Sequence, residues 1–463
     1  SSSAASDVYK RQLPALVQRL LEQVLADEAA HPGLPQVSAA EMERRLDLEL
    51  TDPGRSLEQV VDELVHLASL TPRTTTHRFF NQLFAGRNEA AVLGEVLAAL
   101  QNVSMYTWKA AGPQILVEQA LLRHLAAKVG LEGSEGSFQA GGSLSNLVAL
   151  HVARGEAFPA WRDEGPPAAR PTLYASAECH YSVPKSAGLL GLGRQNLRRV
   201  EVDEAGRLRP DLLARAVTAD REAGRSPFAV VATAGTTVRG AFDPLPEIAD
   251  LCAEEGLWLH VDGAFGASLA LSPRHRSRLE GVERADSLTW DLHKMMGVPL
   301  PCSVLLVRRP GRLRRELEEE ATYLFQSDED RVNPGLENLH CGRRNDALKL
   351  WAAWRRHGDA GMAGRVERLF ELTAHVVARI EATPSLRLTE PPPCINVCFE
   401  VDGADSRAVC RRLDEEGTAK VGWGMVKGRA VIRLVCANPE ADEADLDRLV
   451  DEILRVAAEP ASG

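Results

Sequence analysis

Two side chains in this sequence, Asp262 and Lys294, have the types and positions to act together on a carbonyl compound. Asp262 follows a largely apolar run at residues 257–261, and Lys294 follows a second such run at residues 287–292. A buried carboxylate is costly unless a cation or strong donors compensate it, so we expect Asp262 to have a positive partner. A desolvated lysine has a lowered pKa, and its neutral amine can attack a carbonyl carbon.

Both runs have the length and composition of buried strands, and further strand-like runs lie at residues 172–176 and 228–233. A helical pattern at residues 245–255 connects the last of these to the strand that ends at Asp262. Repeated strand, helix, strand units predict an α/β domain with a mostly parallel sheet and helices on both faces. Such sheets bind ligands at the carboxyl ends of their strands, where Asp262 and Lys294 would meet.

An acid and an amine on neighbouring strand ends are the pair that pyridoxal 5'-phosphate requires. The carboxylate keeps the pyridine nitrogen protonated, so that the ring withdraws electrons, and the lysine holds the aldehyde as a Schiff base. A glycine-rich stretch at residues 133–146 precedes an apolar-periodic helix, and its N–H groups are suited to cradle a phosphate. The sequence therefore predicts pyridoxal phosphate as the cofactor. The competing interpretation of the pair is a surface lysine and a salt-bridged core aspartate.

Five segments of the chain resemble, in order, motifs of the group II pyridoxal-phosphate-dependent amino-acid decarboxylases, the family of glutamate, cysteine-sulfinate, aspartate and aromatic amino-acid decarboxylases. They are Arg-Phe-Phe-Asn-Gln-Leu at 78–83, Gly-Gly-Ser-Leu-Ser-Asn at 141–146, Glu-Cys-His-Tyr-Ser at 178–182, His-Val-Asp-Gly-Ala-Phe-Gly at 260–266 and Asp-Leu-His-Lys at 291–294. The resemblance covers residues 77–455. It implies the fold-type I architecture of pyridoxal-phosphate-dependent transferases, pyridoxal 5'-phosphate as cofactor, and a homodimer with the active site at the interface.

The resemblance also implies roles for individual residues, among them a histidine that stacks over the pyridine face. The catalytic residues would be Lys294, His180, Asp262 and His293. The cofactor-binding residues would be Gly142, Ser143, His180, Thr236, Asp262, Ala264, His293 and Lys294. The substrate-binding residues would be Gln82, Phe84, Ser104 and Arg433. No metal ligand is implied.

Phe84 and Ser104 indicate which acidic amino acid is the substrate. They match the pair of the cysteine-sulfinate and aspartate branch of the family rather than the Ser and Asn of vertebrate glutamate decarboxylases. The bulky Phe shortens the pocket, which favours a shorter diacid. Arg433 stands at the family position whose guanidinium binds a substrate carboxylate. We therefore expect decarboxylation of cysteine sulfinate or aspartate, in preference to glutamate, to the amine and carbon dioxide.

The sequence departs from the family pattern at three places. Lys109 replaces a glutamate, and we expect it to be an exposed helix lysine. Asp291 replaces an asparagine that donates to the phosphate, and it would repel that group unless it is turned away or paired. Residues 327–340, after the Tyr-Leu-Phe-Gln motif at 323–326, lack the tyrosine that protonates the substrate carbon in the family. Proton delivery would fall to His340, another side chain or water.

The missing tyrosine leaves two other functions open. Without it, the carbanionic intermediate can meet dioxygen and give an aldehyde, or accept a proton elsewhere and transaminate. The chain would then be a decarboxylating aldehyde synthase or a transaminating enzyme. A rival from a different class is a catalytically weak pyridoxal-phosphate-binding regulatory protein. The complete set of Asp262, His180 and Lys294 argues against that rival.

The bulk composition restricts the possible partners. The chain has 463 residues and a formal net charge of −11, which argues against a general nucleic-acid surface. No apolar run approaches the ~18 residues that a membrane span needs, so we expect no membrane partner. The eight cysteines form no C-x-x-C pair. We expect buried free thiols in a reducing cytoplasm, and neither disulfides nor a zinc site.

The chain is long enough for more than one domain. We predict an N-terminal helical segment at residues 1–76, a large pyridoxal-phosphate-binding domain at 77–350 and a small C-terminal α+β domain at 351–463. Residues 1–12 lack the hydrophobic region of a secretory signal, and we expect them to be unstructured. The helical segment either packs on a second subunit, as in the family, or caps its own domain, and the sequence is compatible with both.

Overall fold

The computed structural model describes residues 2–50, 52–319, 321, 325 and 330–459. The chain divides into two compact units. The small unit comprises Ser1–Gly86, Ala374–Thr389 and Phe399–Gly463, and the large unit comprises Arg87–Thr373 and Glu390–Cys398. Three residues of the Tyr-Leu-Phe-Gln motif, Tyr323, Leu324 and Gln326, lie outside the described residues.

This division differs from the three segments that the sequence predicts. The N-terminal helices share a unit with the C-terminal domain, because the strand at Phe79–Phe80 pairs in parallel with a strand that begins at Lys420. The prediction that residues 1–12 are unstructured also differs from the structure, in which the first helix begins at Ser2. Residues 4–12 contain no glycine or proline that would end a helix.

The described residues contain fifteen α-helices, and none of these is both long and apolar enough to cross a lipid bilayer. In chain order they are α1 (Ser2–Ala30), α2 (Ala39–Arg45), α3 (Leu57–Leu70), α4 (Glu89–Gln101), α5 (Trp108–Ala111), α6 (Gln114–Lys128), α7 (Gly142–Ala157), α8 (Trp161–Glu164), α9 (Ser182–Leu189), α10 (Pro210–Glu222), α11 (Leu245–Glu255), α12 (Arg312–Leu317), α13 (Ala347–Glu381), α14 (Ser406–Glu416) and α15 (Glu443–Ala458). Helix α13 is interrupted at Gly358, whose φ of 63° is left-handed.

The strands of the described residues form two sheets. In chain order they are β1 (Phe79–Phe80), β2 (Glu135–Gln139), β3 (Pro171–Ser176), β4 (Leu197–Val200), β5 (Ser226–Thr233), β6 (Trp258–Asp262), β7 (Ser287–Asp291), β8 (Ser303–Val307), β9 (Leu386–Leu388), β10 (Asn396–Val401), β11 (Lys420–Val426) and β12 (Arg429–Val435).

Seven strands form the sheet of the large unit in the order β2-β8-β7-β6-β5-β3-β4. The neighbours from β7 to β4 pair in parallel, whereas β8 pairs antiparallel with β7 and β2. Helix α7 contacts strands β5 to β8, and helices α10 and α11 contact β5. The structure confirms the predicted α/β class with a mostly parallel sheet.

Strands β6, β7 and β8 are buried along their whole length, as expected for central strands that helices cover. The preceding helix α11 begins and ends at residues that are common at helix termini. Pro246 lies in its first turn, where a missing N–H costs nothing, and Gly256 follows its last residue in a left-handed conformation. The chain then enters β6 and reaches Asp262 at the end of that strand.

The second sheet has the order β1-β11-β12-β10-β9 and brings two distant parts of the small unit together. Gly422 of β11 lies opposite Arg433 of β12. A side chain at Gly422 would collide with the side-chain oxygen of Asn81. The backbone carbonyl of Asn81 accepts a hydrogen bond from the Arg433 guanidinium. The glycine therefore leaves room for the segment after β1 to lie beside the arginine.

Helices α1 and α3 contact each other within the small unit. Their contact leaves several leucines between 41% and 48% exposed, namely Leu13, Leu21 and Leu25 of α1 and Leu57, Leu64 and Leu67 of α3. Contiguous exposed apolar residues are typical of a surface that binds another protein. The arrangement favours the interpretation in which these helices pack on a second subunit.

A buried ion pair stabilises the large unit next to Ser104. The guanidinium of Arg343 donates two hydrogen bonds to the carboxylate of Glu118, over 2.8 and 2.7 Å, and one to the carbonyl of Met105 over 2.9 Å. Both charged side chains are at most 5% exposed. Removal of one partner would leave the other charge buried without compensation.

We expect the substitution Arg343→Ala to lower the free energy of unfolding by about 3–5 kcal/mol, because Glu118 would lose its buried cation. The adjacent substitution Arg344→Ala is the matched control, since Arg344 pairs with Glu95 at a partly exposed site, and we expect a loss of about 0–1 kcal/mol. Urea unfolding followed by circular dichroism measures both. Equal losses in the two variants would contradict the prediction.

Candidate active site

The carboxyl ends of β6 and β7 place two carboxylates and an amine in one region of the large unit. β6 ends at Asp262, which lies in register with Thr289 of β7, and β7 ends two residues later at Asp291. The N–H group of Lys294 donates to the carbonyl of Asp291 over 3.1 Å, so a tight turn sets the lysine just beyond the strand. The geometry brings Asp262, Asp291 and Lys294 to one edge of the sheet, as the sequence predicts for Asp262 and Lys294.

Asp262 is buried, and neutral donors hold its carboxylate. The side-chain amide of Asn146 donates to Oδ2 over 2.8 Å, and the backbone N–H of Ala264 donates to Oδ1 over 3.2 Å. These are the donors to Asp262 among the residues that the structure describes, and neither is a cation. The positive partner that the sequence predicts would therefore have to come from a bound molecule. A protonated ring nitrogen satisfies this requirement.

His180 is linked to Asp262 through two intermediate side chains. Its Nδ1 lies 2.8 Å from the hydroxyl of Ser182, which in turn accepts a hydrogen bond from Asn146 over 3.0 Å. Burial is the largest cause that lowers the pKa of His180, and the nearby Asp262 carboxylate opposes this shift. A neutral imidazole with an apolar face is suited to lie against an aromatic ring.

The first turn of α7 provides the anion cradle that the glycine-rich stretch predicts. Gly141 precedes the helix with a φ of 102°, a conformation that favours glycine, and no side chain caps the helix. Ser143 is exposed in this turn. A Cβ atom on Gly142 would lie 2.6 Å from Oδ2 of Asp291, so only glycine fits here without displacing that carboxylate. The unpaired N–H groups of the first turn fit a phosphate.

Asp291 has two positively charged or ionisable neighbours, which would offset its repulsion of a bound phosphate. Its Oδ2 lies 3.2 Å from the amine of Lys294 and 3.6 Å from Nε2 of His293. His293 also bonds the carbonyl of Cys302 through Nδ1 over 2.9 Å, and burial is the largest cause that lowers its pKa. Lys109, the other charged departure from the family pattern, is exposed on α5.

Thr236 and Ala264 lie at the same sheet edge but use their polar groups locally. The hydroxyl of Thr236 accepts a hydrogen bond from the N–H of Ala241 over 3.0 Å and so closes the turn after β5. Its hydroxyl hydrogen and one lone pair are left for a ligand. The carbonyl of Ala264 accepts from the N–H of Asp291 over 3.1 Å, which ties the segments after β6 and β7 together.

The expected substrate residues fall in two parts of the chain. Gln82, Phe84 and Arg433 belong to the small unit, where Gln82 is exposed and the ring of Phe84 lies 6.3 Å from that of Phe79. Ser104 belongs to the large unit, where its hydroxyl accepts from the N–H of Arg343 over 3.1 Å.

Sequence reasoning missed Asn146 as a site residue. It was visible only as the last residue of the glycine-serine motif, yet its side chain contacts both Asp262 and Ser182. A signal was present, because Asn146 precedes the buried Ala149, Leu150 and Ala153 at helical spacing. An amide on the buried face of a helix requires hydrogen-bond partners, and a charged site is a common place to find them.

Comparisons with known proteins agree with this geometry. Residues 40–402 match the family model described as the pyridoxal-dependent decarboxylase conserved domain. The chain is 37% identical to the cysteine sulfinic acid decarboxylase of Mus musculus, over 95% of this chain and 96% of that protein. It is 36% identical to the acidic amino acid decarboxylase GADL1 of Bos taurus, over 89% of this chain and 84% of that protein.

Solved structures show the same fold. The crystal structure of mouse CSAD superposes with a TM-score of 0.90 at 34% identity, over 96% of this chain and 99% of that chain. The crystal structure of Oryza sativa TDC with PLP and tryptamine superposes with a TM-score of 0.90 at 26% identity, over 97% of this chain and 98% of that chain.

We expect Asp291→Asn to bind inorganic phosphate about fivefold more tightly than the wild type, because one negative charge next to the anion cradle is lost (about 1 kcal/mol). The amide has the shape of the carboxylate and leaves the packing against Gly142 unchanged. The rise of the thermal midpoint of the cofactor-free protein with phosphate concentration reports the affinity. Asp250→Asn is the matched control, since it removes a surface carboxylate that pairs with Arg284. An equal gain in both variants would show that net charge alone is responsible.

Proposed function

Because the chain belongs to the pyridoxal-dependent decarboxylase family and is therefore an amino-acid decarboxylase that uses pyridoxal 5'-phosphate, we propose that it decarboxylates a small acidic L-amino acid. Cysteine sulfinate or aspartate is the preferred substrate, ahead of glutamate. The observation that carries this proposal is the similarity, along almost the whole chain, to the cysteine sulfinic acid decarboxylase of Mus musculus. The acidic amino acid decarboxylase GADL1 of Bos taurus supports the same substrate class.

Two features of the chain support a short acidic substrate. Phe84 occupies volume that a smaller residue would leave to a longer side chain, and one methylene group is worth about 10- to 200-fold in discrimination. Arg433 presents a planar guanidinium, which binds carboxylate and sulfinate groups through two parallel hydrogen bonds. Gly422 and Asn81 hold that guanidinium beside β11.

Each polar group at the sheet edge has a task in this reaction. When bound, pyridoxal phosphate supplies an electron-withdrawing ring that accepts the electron pair released as carbon dioxide leaves. Lys294 would hold the aldehyde of the cofactor, Asp262 would keep a proton on the ring nitrogen, and His180 would lie against the ring face. Gly142 and Ser143 would bind the phosphate through the first turn of α7.

Proton delivery to the substrate carbon requires a donor other than the family tyrosine. In the part of this segment that the structure describes, residues 330–340, His340 is the one histidine, and imidazole is the commonest general acid in enzymes. The backbone N–H of His340 donates to the side-chain oxygen of Asn338 over 3.1 Å, which orders the backbone there. We assign the delivery of the proton to the substrate carbon to His340, with water as the alternative source.

A product-identified assay tests the proposed function. Cysteine sulfinate, aspartate, glutamate and an aromatic amino acid are each incubated with the cofactor-loaded protein, and amine, aldehyde, ammonia and hydrogen peroxide are measured. We expect amine as the main product, with kcat/KM for cysteine sulfinate or aspartate about tenfold or more above that for glutamate. Aldehyde and peroxide in excess of amine would instead establish an aldehyde synthase. Turnover of none of the substrates would favour a regulatory role.

We expect Arg433→Lys to reduce kcat/KM for the acidic substrate by about 100-fold, because a lysine cannot make the paired hydrogen bonds of a guanidinium. Cofactor affinity, measured by titration of tryptophan fluorescence, should stay at the wild-type value. Arg429→Lys on the same strand is the matched control, since Arg429 is exposed and pairs with Glu400. A comparable loss in the control would rule out a substrate role for Arg433.

We further infer that the protein acts as a homodimer through its N-terminal helices. The leucines of α1 and α3 are too exposed to be explained by packing within the chain. Within the large unit, helix α4 separately exposes Leu93 and Leu100, by 71% and 64%. Exposed apolar area of this kind is typical of a subunit interface.

We expect the double substitution Leu21→Glu and Leu25→Glu to convert the dimer to a monomer, because two charges would be buried in the interface. Light scattering coupled to size-exclusion chromatography measures the mass. Ala15→Glu is the matched control, since this exposed residue lies on a different side of the same helix. A wild-type protein that elutes as a monomer would refute the inference directly.

A further inference from the structure

We propose that Asn146 and His260 are positioning residues that align Asp262 and His180 with each other before the cofactor binds. They form the centre of a hydrogen-bond chain, termed here the relay, which starts at the indole of Trp258. The proposal rests on the proposed role of Asp262 at the ring nitrogen. It adds two residues that act on the site from behind it, Asn146 on α7 and His260 on β6.

The orientation of the Asn146 amide follows from its neighbours. The carboxylate of Asp262 has no hydrogen to give, so the group 2.8 Å from its Oδ2 must be the NH₂ of Asn146. The second hydrogen of this NH₂ donates to the hydroxyl of Ser182 over 3.0 Å. Oδ1 of Asn146 then lies 3.0 Å from Nε2 of His260 and can only accept.

The tautomer of His260 follows from the orientation of Asn146. Nε2 must carry the proton that Oδ1 of Asn146 accepts, and Nδ1 lies 2.9 Å from the hydroxyl of Ser287. Complete burial lowers the pKa of His260 to about 4, so the ring carries a single proton near neutral pH and Nδ1 accepts. The hydroxyl of Ser287 therefore donates to His260 and accepts the indole N–H of Trp258 over 2.9 Å.

The other end of the relay sets the tautomer of His180 in the same way. The backbone N–H of Ser182 can only donate, and it lies 3.3 Å from Nδ1 of His180. Nδ1 is therefore an acceptor, and the hydroxyl of Ser182 also donates to it over 2.8 Å. The proton of the neutral His180 ring is left on Nε2.

Every hydrogen of the relay thus points in one direction, from the buried start of β6 toward the sheet edge. Asn146, His260, Ser287 and Ser182 are buried, so a reversed amide or a shifted tautomer would leave a polar group unsatisfied away from water. A reversed Asn146 would also turn its carbonyl toward the charge of Asp262. The relay consequently holds the carboxylate of Asp262 and the ring of His180 in one arrangement without any charged group.

Two variants remove the relay at different points. Asn146→Asp keeps the size of the side chain but replaces the two N–H donors to Asp262 and Ser182 with a carboxyl group that has at most one hydrogen to give. Ser287→Ala removes the hydroxyl that fixes His260 and leaves the sheet edge untouched. Ser268→Ala is the matched control for the second variant, because Ser268 is also buried and accepts an indole N–H, that of Trp290, over 2.9 Å.

Two measurements distinguish positioning from a purely structural role, and neither uses a substrate. Nitrogen-15 spectra of the cofactor-free protein, labelled at histidine, report which ring nitrogen of His260 carries the proton, with His260→Asn as the assignment control. Titration of tryptophan fluorescence with pyridoxal phosphate gives the dissociation constant of the cofactor. Both readouts are independent of the proposed function, which would fail on its own if a protein with an intact relay decarboxylated no acidic amino acid.

We expect the wild type to carry the His260 proton on Nε2. Ser287→Ala should mix the two tautomers and raise the dissociation constant of pyridoxal phosphate about threefold, and Asn146→Asp should raise it at least tenfold. Ser268→Ala should match the wild type in both measurements. A proton on Nδ1 of His260 in the wild type, or equal dissociation constants for Ser287→Ala and Ser268→Ala, overturns the proposal. If Asn146→Asp does not fold, the comparison of Ser287→Ala with Ser268→Ala tests the proposal by itself.

Discussion

The burial of the Asp262 carboxylate at the end of β6 is the constraint on which the arrangement of the large unit depends. Moving a carboxylate out of water costs several kcal/mol unless donors replace the lost hydration. Here the donors come from the side chain of Asn146 on α7 and from the backbone of Ala264 just beyond the strand. Helix α7 must therefore dock with its first turns at the carboxyl ends of β6 and β7, and the same docking presents its N-terminal N–H groups to an anion. One electrostatic requirement thus fixes both the position of the Asp262 carboxylate and that of the first turn of α7.

A second carboxylate, Asp291, lies on the neighbouring strand end but has partners of a different kind. Asp262 accepts from neutral donors and keeps its negative charge available, whereas Asp291 lies next to the amine of Lys294 and the ring of His293. The two acids therefore differ in their surroundings: Asp262 has neutral donors, whereas Asp291 lies next to the amine of the lysine. Gly142 leaves the space that the carboxylate of Asp291 occupies, because a side chain at position 142 would collide with it.

Local sequence patterns predicted much of this architecture, and the limits of the prediction have physical causes. The apolar runs at 257–261 and 287–292 and the helix at 245–255 were visible as short-range patterns, and they occur as β6, β7 and α11. The antiparallel strand β8 and the pairing of β1 with β11 were not predicted, because strand order depends on contacts between distant residues. Asn146 was missed, and the partners of Asp291 were left open, for a related reason. The role of a polar side chain is set by the neighbours that the fold brings to it, and one sequence does not reveal those neighbours.

The pairing of β1 with β11 has a consequence for the order in which the protein forms during synthesis. Phe79 lies in register with Lys420, so the five-stranded sheet cannot close until almost the entire polypeptide has left the ribosome. Most of the large unit is a continuous stretch, Arg87–Thr373, and can become compact earlier. The N-terminal helices precede β1 in the chain, so they are synthesised first and carry their exposed leucines throughout this interval.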